Sequence, residues 1–385
     1  MSAPSKKTRV LLLDCAPFCG GAQESFWSLA LALFEQGNPV LLLSADHSRF
    51  GLLNRARQAG LPHIGFQCRH WPCSPQGLLQ FLRDRRDFAP LFQRSLEDFK
   101  PELIHANTLR SALLLNKQLC LDVPLLLHDR DLKTPLLSAP LLAARITALV
   151  AVSAAVAQKW RKLLPAEKIH VVYNGLPLPD EEAKEKRPGF CVLLLADLLA
   201  WKNHRLFLQV LQRLSGRIPG LRAIIRGRLR DAQAARLLHE LKKQAQALNL
   251  DSLLEIRSGE GDARSELQEA DLLVSCSEQE AFGRNIIEAL ACGKVVVAVK
   301  AAGPAEILAH CPAASLCPPD ASALAQAIID WHEGQKYLLA AEEARKFASQ
   351  FSVPRHLQNI NHIYNTICKP ENSKWRPARE TQARL

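Results

Sequence analysis

The sequence contains no apolar run that approaches the roughly 18 uninterrupted residues a membrane-spanning helix needs. Basic residues and a short apolar run open the chain in the manner of a secretory signal, but the run breaks at Asp14. That run is therefore predicted to be a first β-strand. No internal repeat of solenoid period and no low-complexity tract is present. The pattern favours an ordinary globular protein.

Aromatic residues are also scarce, at 6%, and no nucleic-acid-binding module accompanies the formal net charge of +11. Most of the positive excess lies in residues 1–178. No nucleic-acid partner is therefore predicted. A phosphorylated ligand or an anionic membrane surface fits the charge better, with a merely solvated basic surface as the alternative.

The eleven cysteines are scattered, mostly inside apolar runs, as expected for reduced thiols in a cytoplasm. Cys68, His70 and Cys73 form one short cluster. It lacks a second ligand pair at zinc-site spacing, so ordinary loop packing is favoured over a metal. The sequence predicts a cytoplasmic protein that holds no metal ion.

A length of 385 residues with 48% hydrophobic content suggests two globular domains. Strand-like runs alternate with helical ones from Arg9–Leu13 to His170–Val172, and again from Cys191–Ala196 to Val295–Val299. This alternation predicts an α/β protein of two doubly wound, Rossmann-like halves with parallel strands.

The predicted boundaries follow composition. Residues 180–188 are charged and lack apolar side chains, which is typical of a linker. The tail lacks an apolar period and is predicted to be disordered. The segments are an N-terminal domain 1–178, a linker 179–189, a C-terminal domain 190–351, a C-terminal helix 352–368 and a disordered tail 369–385.

The stretch Leu272–Leu308 reads as strand, acidic loop, Phe-Gly turn, helix, strand and Gly-Pro turn. Ligands of parallel sheets bind at the carboxyl ends of strands, near helix N-termini. The amides of Phe282 and Gly283 can meet a diphosphate or a sugar hydroxyl. Glu280 can hold a sugar hydroxyl, and Glu288 can accept both hydroxyls of a ribose. A loop acid and a polar-face helix acid without ligands are the alternative.

Three further strand ends carry candidate residues. Lys202 is placed to neutralise a leaving diphosphate without a metal, although an isolated lysine is often only solvated. His128 can hydrogen-bond a sugar, although strand-end histidines are often structural. Gly20 and Gly21 let the backbone approach a ligand, although such pairs are common without one.

Together these residues resemble the large retaining glycosyltransferase family called family 4, which has the GT-B fold. That fold consists of two Rossmann-like doubly wound domains facing across a cleft. The most specific part is EAFGRNIIEALACGKVVVA followed by AGPAEI, with Lys294 where proline is usual. GGAQ, PELIHANTLRSALLL, LLLHDRD, AVSAAVA and VVYNG resemble the family's segments in the same order, so the resemblance covers about residues 8–368.

The resemblance implies transfer of a sugar from a nucleotide-sugar donor to an acceptor hydroxyl, with retained configuration and no metal or other cofactor. It implies a glycan or lipid-linked acceptor in the synthesis of cell-surface polysaccharide, lipopolysaccharide or glycolipid. The protein is then expected in the cytoplasm, peripheral to the inner membrane face. A GT-B nucleotide-sugar epimerase, a phosphorylase and a catalytically degraded GT-B protein that binds a sugar or a partner are the alternatives.

By position, the resemblance assigns Glu288 to the ribose and Glu280 to the donor sugar. The backbone of Phe282 and Gly283 joins Glu280 in that role, and Lys202 binds the diphosphate. Lys202 and Glu280 are thus candidates for catalysis as well as for binding.

The resemblance also assigns the first domain to the acceptor and the second to the nucleotide sugar. His128 is then a catalytic candidate beside the donor's hydroxymethyl end, and the loop at Gly20 and Gly21 holds phosphate or acceptor. The helix 352–368 is expected to cross back to the N-terminal domain.

One departure from the family concerns charge. Family members usually carry arginine five residues before the diphosphate-binding lysine, where this chain has Asp197. An aspartate there is expected to repel a diphosphate. Either another cation, such as Arg226 or Arg228, compensates, or Asp197 points away.

Overall fold

The computed structural model describes residues 7–69, 71, 74–115, 123–133, 139–178, 188–259 and 263–368. These residues form two compact units. The first contains the described residues up to Gly175 together with those from Val353 onward, and the second is Leu176–Ser352. Most of the predicted linker, 179–187, and the whole predicted tail, 369–385, lie outside the described residues.

The first unit is built on a seven-stranded sheet of order β3-β2-β1-β4-β5-β6-β7, and its strand pairings are parallel. Its strands are β1 Val10–Asp14, β2 Val40–Ser44, β3 His63–Gly65, β4 Leu103–Ala106, β5 Leu125–Asp129, β6 Ala148–Ala151 and β7 Ile169–Val171. Its helices are α1 Gly21–Glu35, α2 Leu52–Gln58, α3 Pro75–Phe99, α4 Leu109–Leu114, α5 Ala139–Ala143, α6 Ala154–Gln158 and α15 Val353–Ile367.

The second unit is built on a six-stranded sheet of order β10-β9-β8-β11-β12-β13, again with parallel pairings. Its strands are β8 Phe190–Leu195, β9 Leu221–Gly227, β10 Leu254–Ser258, β11 Leu272–Ser275, β12 Val295–Val299 and β13 Ala314–Cys317. Its helices are α7 His204–Leu214, α8 Ala232–Ala247, α9 Arg264–Glu269, α10 Arg284–Ala291, α11 Ala302–Ile307, α12 Ala321–His332, α13 Lys336–Leu339 and α14 Ala341–Ala348.

Strand β1 shows why the first sheet is covered on both faces. Leu11 and Leu13 belong to one apolar cluster, and Val10 and Leu12 belong to the other. Successive side chains of a strand point to opposite faces, so a continuous apolar run requires helices on both sides. The second cluster includes apolar side chains of α15, which packs against α1. The predicted α/β architecture of two doubly wound sheets is confirmed.

The structure differs from the sequence predictions in several helices. The sequence pattern predicts one helix over Lys336–Gln350, and this prediction is wrong, because the chain forms α13 and α14 with a break at Ala340. The 25-residue helix α3 was not predicted. Ser74 caps it and Pro75 opens it, which are start signals, whereas Pro90 inside the helix is a signal against one.

Candidate functional site

The candidate donor residues of the second unit lie at the carboxyl edge of its sheet. The loop after β11 carries Glu280, and a 3₁₀ turn, Ala200–Lys202, follows β8. Strands β8 and β11 pair in parallel, so both segments leave the sheet side by side. Topology therefore brings together two segments that are distant in sequence.

Lys202 and Glu280 form an ion pair between Nζ and Oε2, and each side chain is 15% exposed. Lys202 Nζ also lies 4.1 Å from the ring centroid of Trp201, a cation–π contact. The residues predicted to hold the diphosphate and the donor sugar thus contact each other.

Two glycines shape the loop that carries Glu280. Gly283 caps α10 with a φ of +92°, in the left-handed region that favours glycine. The amide of Gly303 in α11 donates to the Glu280 carbonyl at 3.0 Å. A Cβ on Gly303 would lie 2.4 Å from the carbonyl oxygen of Ala281, so this approach requires glycine. Phe282 is buried and anchors the same loop.

Glu288 lies in the second turn of α10, where its Oε1 accepts from Arg284 Nε at 2.6 Å. Its side chain is 32% exposed, so solvent or a ligand can reach it. The side-chain amide of Asn285 donates to the Leu195 carbonyl at 2.7 Å and links α10 to the end of β8. The helix therefore holds Glu288 at the same edge as the Lys202–Glu280 pair.

Asp197 is bound by two arginines. Arg228 forms a two-point contact, with Nε 2.7 Å from Oδ1 and a terminal nitrogen 3.0 Å from Oδ2. Arg230 lies 2.7 Å from Oδ2. Burial raises the pKa of Asp197, but the hydrogen bond from Arg228 and the charges of Arg228, Arg230 and Lys202 hold it below its ordinary value. Two guanidinium groups thus share one carboxylate, and the group keeps a net positive charge.

Arg226 has different partners. Its Nε lies 3.1 Å from Glu266 Oε1, and another guanidinium nitrogen donates to the Gly259 carbonyl at 2.9 Å. Its side chain is only 11% exposed. Of the two arginines predicted to compensate for Asp197, the structure places Arg228 against it and Arg226 against Glu266.

In the first unit, the Gly-Gly turn opens α1 at Gly21. The Gly20 amide donates to the side-chain oxygen of Gln23 at 3.1 Å, and Gln23 in turn donates to Asp14 at 3.0 Å. A Cβ on Gly21 would meet nothing within 4 Å. Gln23 therefore satisfies the Gly20 amide, while Gly21 faces open space.

His128 lies in β5 and is fully buried. Its Nδ1 is 3.3 Å from the Arg130 guanidinium, and its Nε2 has no hydrogen-bond partner among the described residues. Burial, with the charges of Arg130, His105 and His356, lowers the pKa of His128 well below its usual value. The imidazole is therefore neutral at physiological pH.

Sequence reasoning missed five residues that lie against Asp197 or in the buried cluster around His128. Arg230 and Arg130 carried no signal beyond their charge. His105 sits inside the apolar run LIHA, and a polar residue there signals a buried hydrogen bond. His356 and Tyr364 lie in the terminal helix, and Tyr364 is 259 residues from its partner His105, so no local pattern links them.

The described residues contain no group of three or more His, Cys, Asp or Glu side chains suited to hold a metal ion. His70 and Cys73 of the short cluster lie outside the described residues, so that cluster is not tested. Within the same described ranges, no helix is both long and apolar enough to span a membrane.

Two family models match consecutive parts of the chain. Glycosyltransferase Family 4 matches residues 19–178, and Glycosyl transferases group 1 matches residues 179–349. No curated protein matches the chain. The two models together cover residues 19–349, from α1 to α14.

Solved glycosyltransferase structures share the fold at low sequence identity. Anabaena HepE, in complex with UDP and glucose, is 24% identical with a TM-score of 0.77, over 93% of this chain and 100% of that one. A Rickettsia africae glycosyltransferase is 20% identical with a TM-score of 0.76, over 94% and 99%. Sucrose-phosphate synthase from Thermosynechococcus elongatus is 18% identical with a TM-score of 0.75, over 94% and 99%. The chain belongs to the family 4, group 1 glycosyltransferases and has their GT-B fold.

Proposed function

We propose that this glycosyltransferase moves a sugar from a nucleotide-sugar donor to an acceptor hydroxyl, with retained configuration and without a metal ion. The arrangement around Lys202 carries the proposal, because Lys202 lies against Glu280 and close enough to Asp197 to influence its pKa. Preorganised cations at this edge can stabilise the charge that develops on a leaving diphosphate. HepE binds UDP and glucose, which makes UDP-sugars the first donors to test.

In the proposed reaction, Glu288 binds the ribose. Glu280 releases Lys202 and binds a hydroxyl of the donor sugar instead. Lys202 then binds the diphosphate. The bond between the anomeric carbon and the diphosphate breaks, and the acceptor oxygen bonds to that carbon on the same face. The leaving phosphate takes the proton of the acceptor hydroxyl. The anomeric configuration is thereby retained, and no protein nucleophile is required.

His128 of the first unit is proposed to act as a hydrogen-bond donor to a sugar oxygen. Its neutral state suits that role, because a neutral imidazole donates without adding charge. We assign the acceptor to the first unit and the nucleotide sugar to the second.

The test is nucleotide release from UDP, GDP, ADP and dTDP sugars in the presence of a chelator of divalent metals. We expect slow donor hydrolysis with one of these donors, undiminished by the chelator. The anomer formed on an added acceptor, assigned by NMR, tests retention. Nucleotide binding without turnover under any donor and acceptor condition would support the degraded-enzyme alternative, and absence of both would overturn the proposal.

Helix α3 supports the proposed partner surface, an anionic membrane that carries a lipid-linked acceptor. Leu78, Leu79 and Leu82 are 58%, 56% and 49% exposed on the face opposite its buried side chains. Exposed Arg83 and Arg86 follow on the same face. Leucines beside arginines are typical of helices that lie in a membrane interface and attract anionic headgroups.

A variant with Leu78, Leu79 and Leu82 all changed to glutamine is expected to bind phosphatidylglycerol-containing vesicles at least about tenfold more weakly, because partial burial of each leucine contributes up to about 1.5 kcal/mol. Vesicle co-sedimentation measures this. The matched control changes Leu338 and Leu339, which are 52% and 80% exposed in the second unit. Equal binding by the α3 variant and the wild type would contradict the assignment.

A further inference from the structure

Three histidines are buried together in the first unit. His105 lies in β4, His128 in β5 and His356 in α15, and each is at most 3% exposed. The rings of His105 and His128 stack with centroids 5.3 Å apart, and those of His128 and His356 with centroids 5.9 Å apart. Buried imidazoles at this density need defined proton positions, because two facing N–H groups would repel each other.

Arg130 defines the proton position of His128. A guanidinium group only donates hydrogen bonds, and one of its nitrogens lies 3.3 Å from His128 Nδ1. The Asn107 side-chain oxygen accepts from Arg130 Nε at 2.7 Å, and the Asn174 side-chain oxygen accepts from a terminal nitrogen. The guanidinium orientation is therefore held from two sides. His128 Nδ1 must be an acceptor, so a neutral His128 carries its proton on Nε2.

The same logic extends to His105 and Tyr364. His105 Nε2 lies 3.2 Å from His128 Nδ1, and because that nitrogen accepts, His105 Nε2 must carry a proton. His105 Nδ1 is then an acceptor, and the Tyr364 hydroxyl lies 2.6 Å from it as the donor. All the hydrogen bonds point one way, from Tyr364 through His105 to His128.

His356 stacks on His128 and leaves these proton positions unchanged. Its Nδ1 lies 2.7 Å from the Tyr173 carbonyl, which can only accept, so His356 carries its proton there. Burial and the Arg130 charge lower the pKa of His356 to about 4. Burial likewise lowers the pKa of His105 and raises that of Tyr364. All members of the chain of hydrogen bonds are therefore neutral at physiological pH.

We propose that Tyr364 and His105 are positioning residues that act with Arg130 to hold His128 as a neutral imidazole with a free Nε2–H donor. His128 Nε2 is buried and has no partner among the described residues, so it is available to an oxygen of a bound sugar. The inference rests on the proposed function for the identity of that ligand. It makes the terminal helix α15, through Tyr364, part of the machinery that sets the chemistry of His128.

The experiment compares the wild type with Tyr364→Phe, which removes only the hydroxyl. Protein labelled with ¹⁵N-histidine reports the tautomers by NMR, and the His105 and His128 signals are those absent from His105→Gln and His128→Gln. The matched control is Tyr337→Phe in α13 of the second unit. Donor kinetics with the substrate found by the nucleotide-release screen supply the second readout.

We expect single Nε2–H tautomers of His105 and His128 in the wild type and in Tyr337→Phe. In Tyr364→Phe, the ¹⁵N signal of His105 Nδ1 should shift because that nitrogen loses its donor, whereas Arg130 should keep His128 in the Nε2–H form. The turnover number kcat of Tyr364→Phe is expected to fall about tenfold with little change in donor KM, as for a lost buried hydrogen bond that acts on the reacting state. A doubly protonated or Nδ1–H His128 in the wild type overturns the inference, as does an unchanged His105 Nδ1 signal together with an unchanged kcat in Tyr364→Phe. The NMR measurement does not depend on a sugar donor. If the tautomers are as expected but the protein has no transferase activity, the proposed function is refuted and the positioning inference stands.

Discussion

Glu288→Ala is expected to bind its nucleoside diphosphate about 100-fold more weakly than the wild type. The carboxylate is proposed to accept both ribose hydroxyls, and hydrogen bonds to a charged group contribute about 1.5–3 kcal/mol each. The fold should tolerate the change, because Glu288 is partly exposed and i,i+4 ion pairs at a helix surface contribute only about 0.3–0.5 kcal/mol. Titration calorimetry measures the affinity.

The 2′-deoxynucleotide makes the test specific to the ribose. Wild-type protein should lose affinity for the deoxy form, whereas Glu288→Ala should bind both forms about equally, since the group that distinguishes them is gone. Glu278→Ala, an exposed acid in the preceding loop, is the matched control and should behave as wild type. Equal affinity of wild type and Glu288→Ala for the ribonucleotide would refute the ribose assignment.

Asp197→Ala is expected to weaken nucleoside diphosphate binding about 30-fold, although the change removes a negative charge near the proposed diphosphate site. The structure shows Asp197 holding Arg228 and Arg230, and we propose that Arg228 supplies the cation that family members carry at position 197. Loss of that alignment should cost about 2 kcal/mol, the strength of one charge-assisted hydrogen bond. Direct repulsion by Asp197 would give the opposite sign.

Three comparisons complete this experiment. Arg228→Ala should weaken diphosphate binding at least as much as Asp197→Ala. Arg205→Ala removes a 63% exposed arginine of the same unit and should have little effect, which controls for net charge. The nucleoside without phosphates should bind all variants equally. Tighter diphosphate binding by Asp197→Ala would show that the aspartate repels the donor.

The secondary structure was largely predictable where the apolar pattern is uninterrupted. The buried strand Val295–Val299, for example, matches the prediction residue for residue. Errors arose where local signals conflict. Pro90 obscured α3, and the break at Ala340 has no glycine or proline to announce it.

The candidate site was predictable as a set of strand ends, because parallel sheets place their carboxyl ends along one edge. Its contacts were not. Two contacts depend on which strands are neighbours in the sheet. They are the ion pair of Lys202 with Glu280 and the hydrogen bond from the Gly303 amide to the Glu280 carbonyl. A single sequence does not specify that order.

The sequence by itself determined two parallel α/β sheets, the family resemblance and the acids, glycines and lysine of the donor side, because periodicity and strand-end chemistry are local properties. Only the tertiary structure decided which side chains Asp197 binds and which nitrogen of His128 carries the proton. An isolated Asp197 would repel a diphosphate, whereas the Asp197 of the structure binds Arg228 and Arg230 and fixes their positions. The proton of His128 is set by Arg130, His105 and Tyr364, which meet only when β4, β5 and α15 pack together and exclude water.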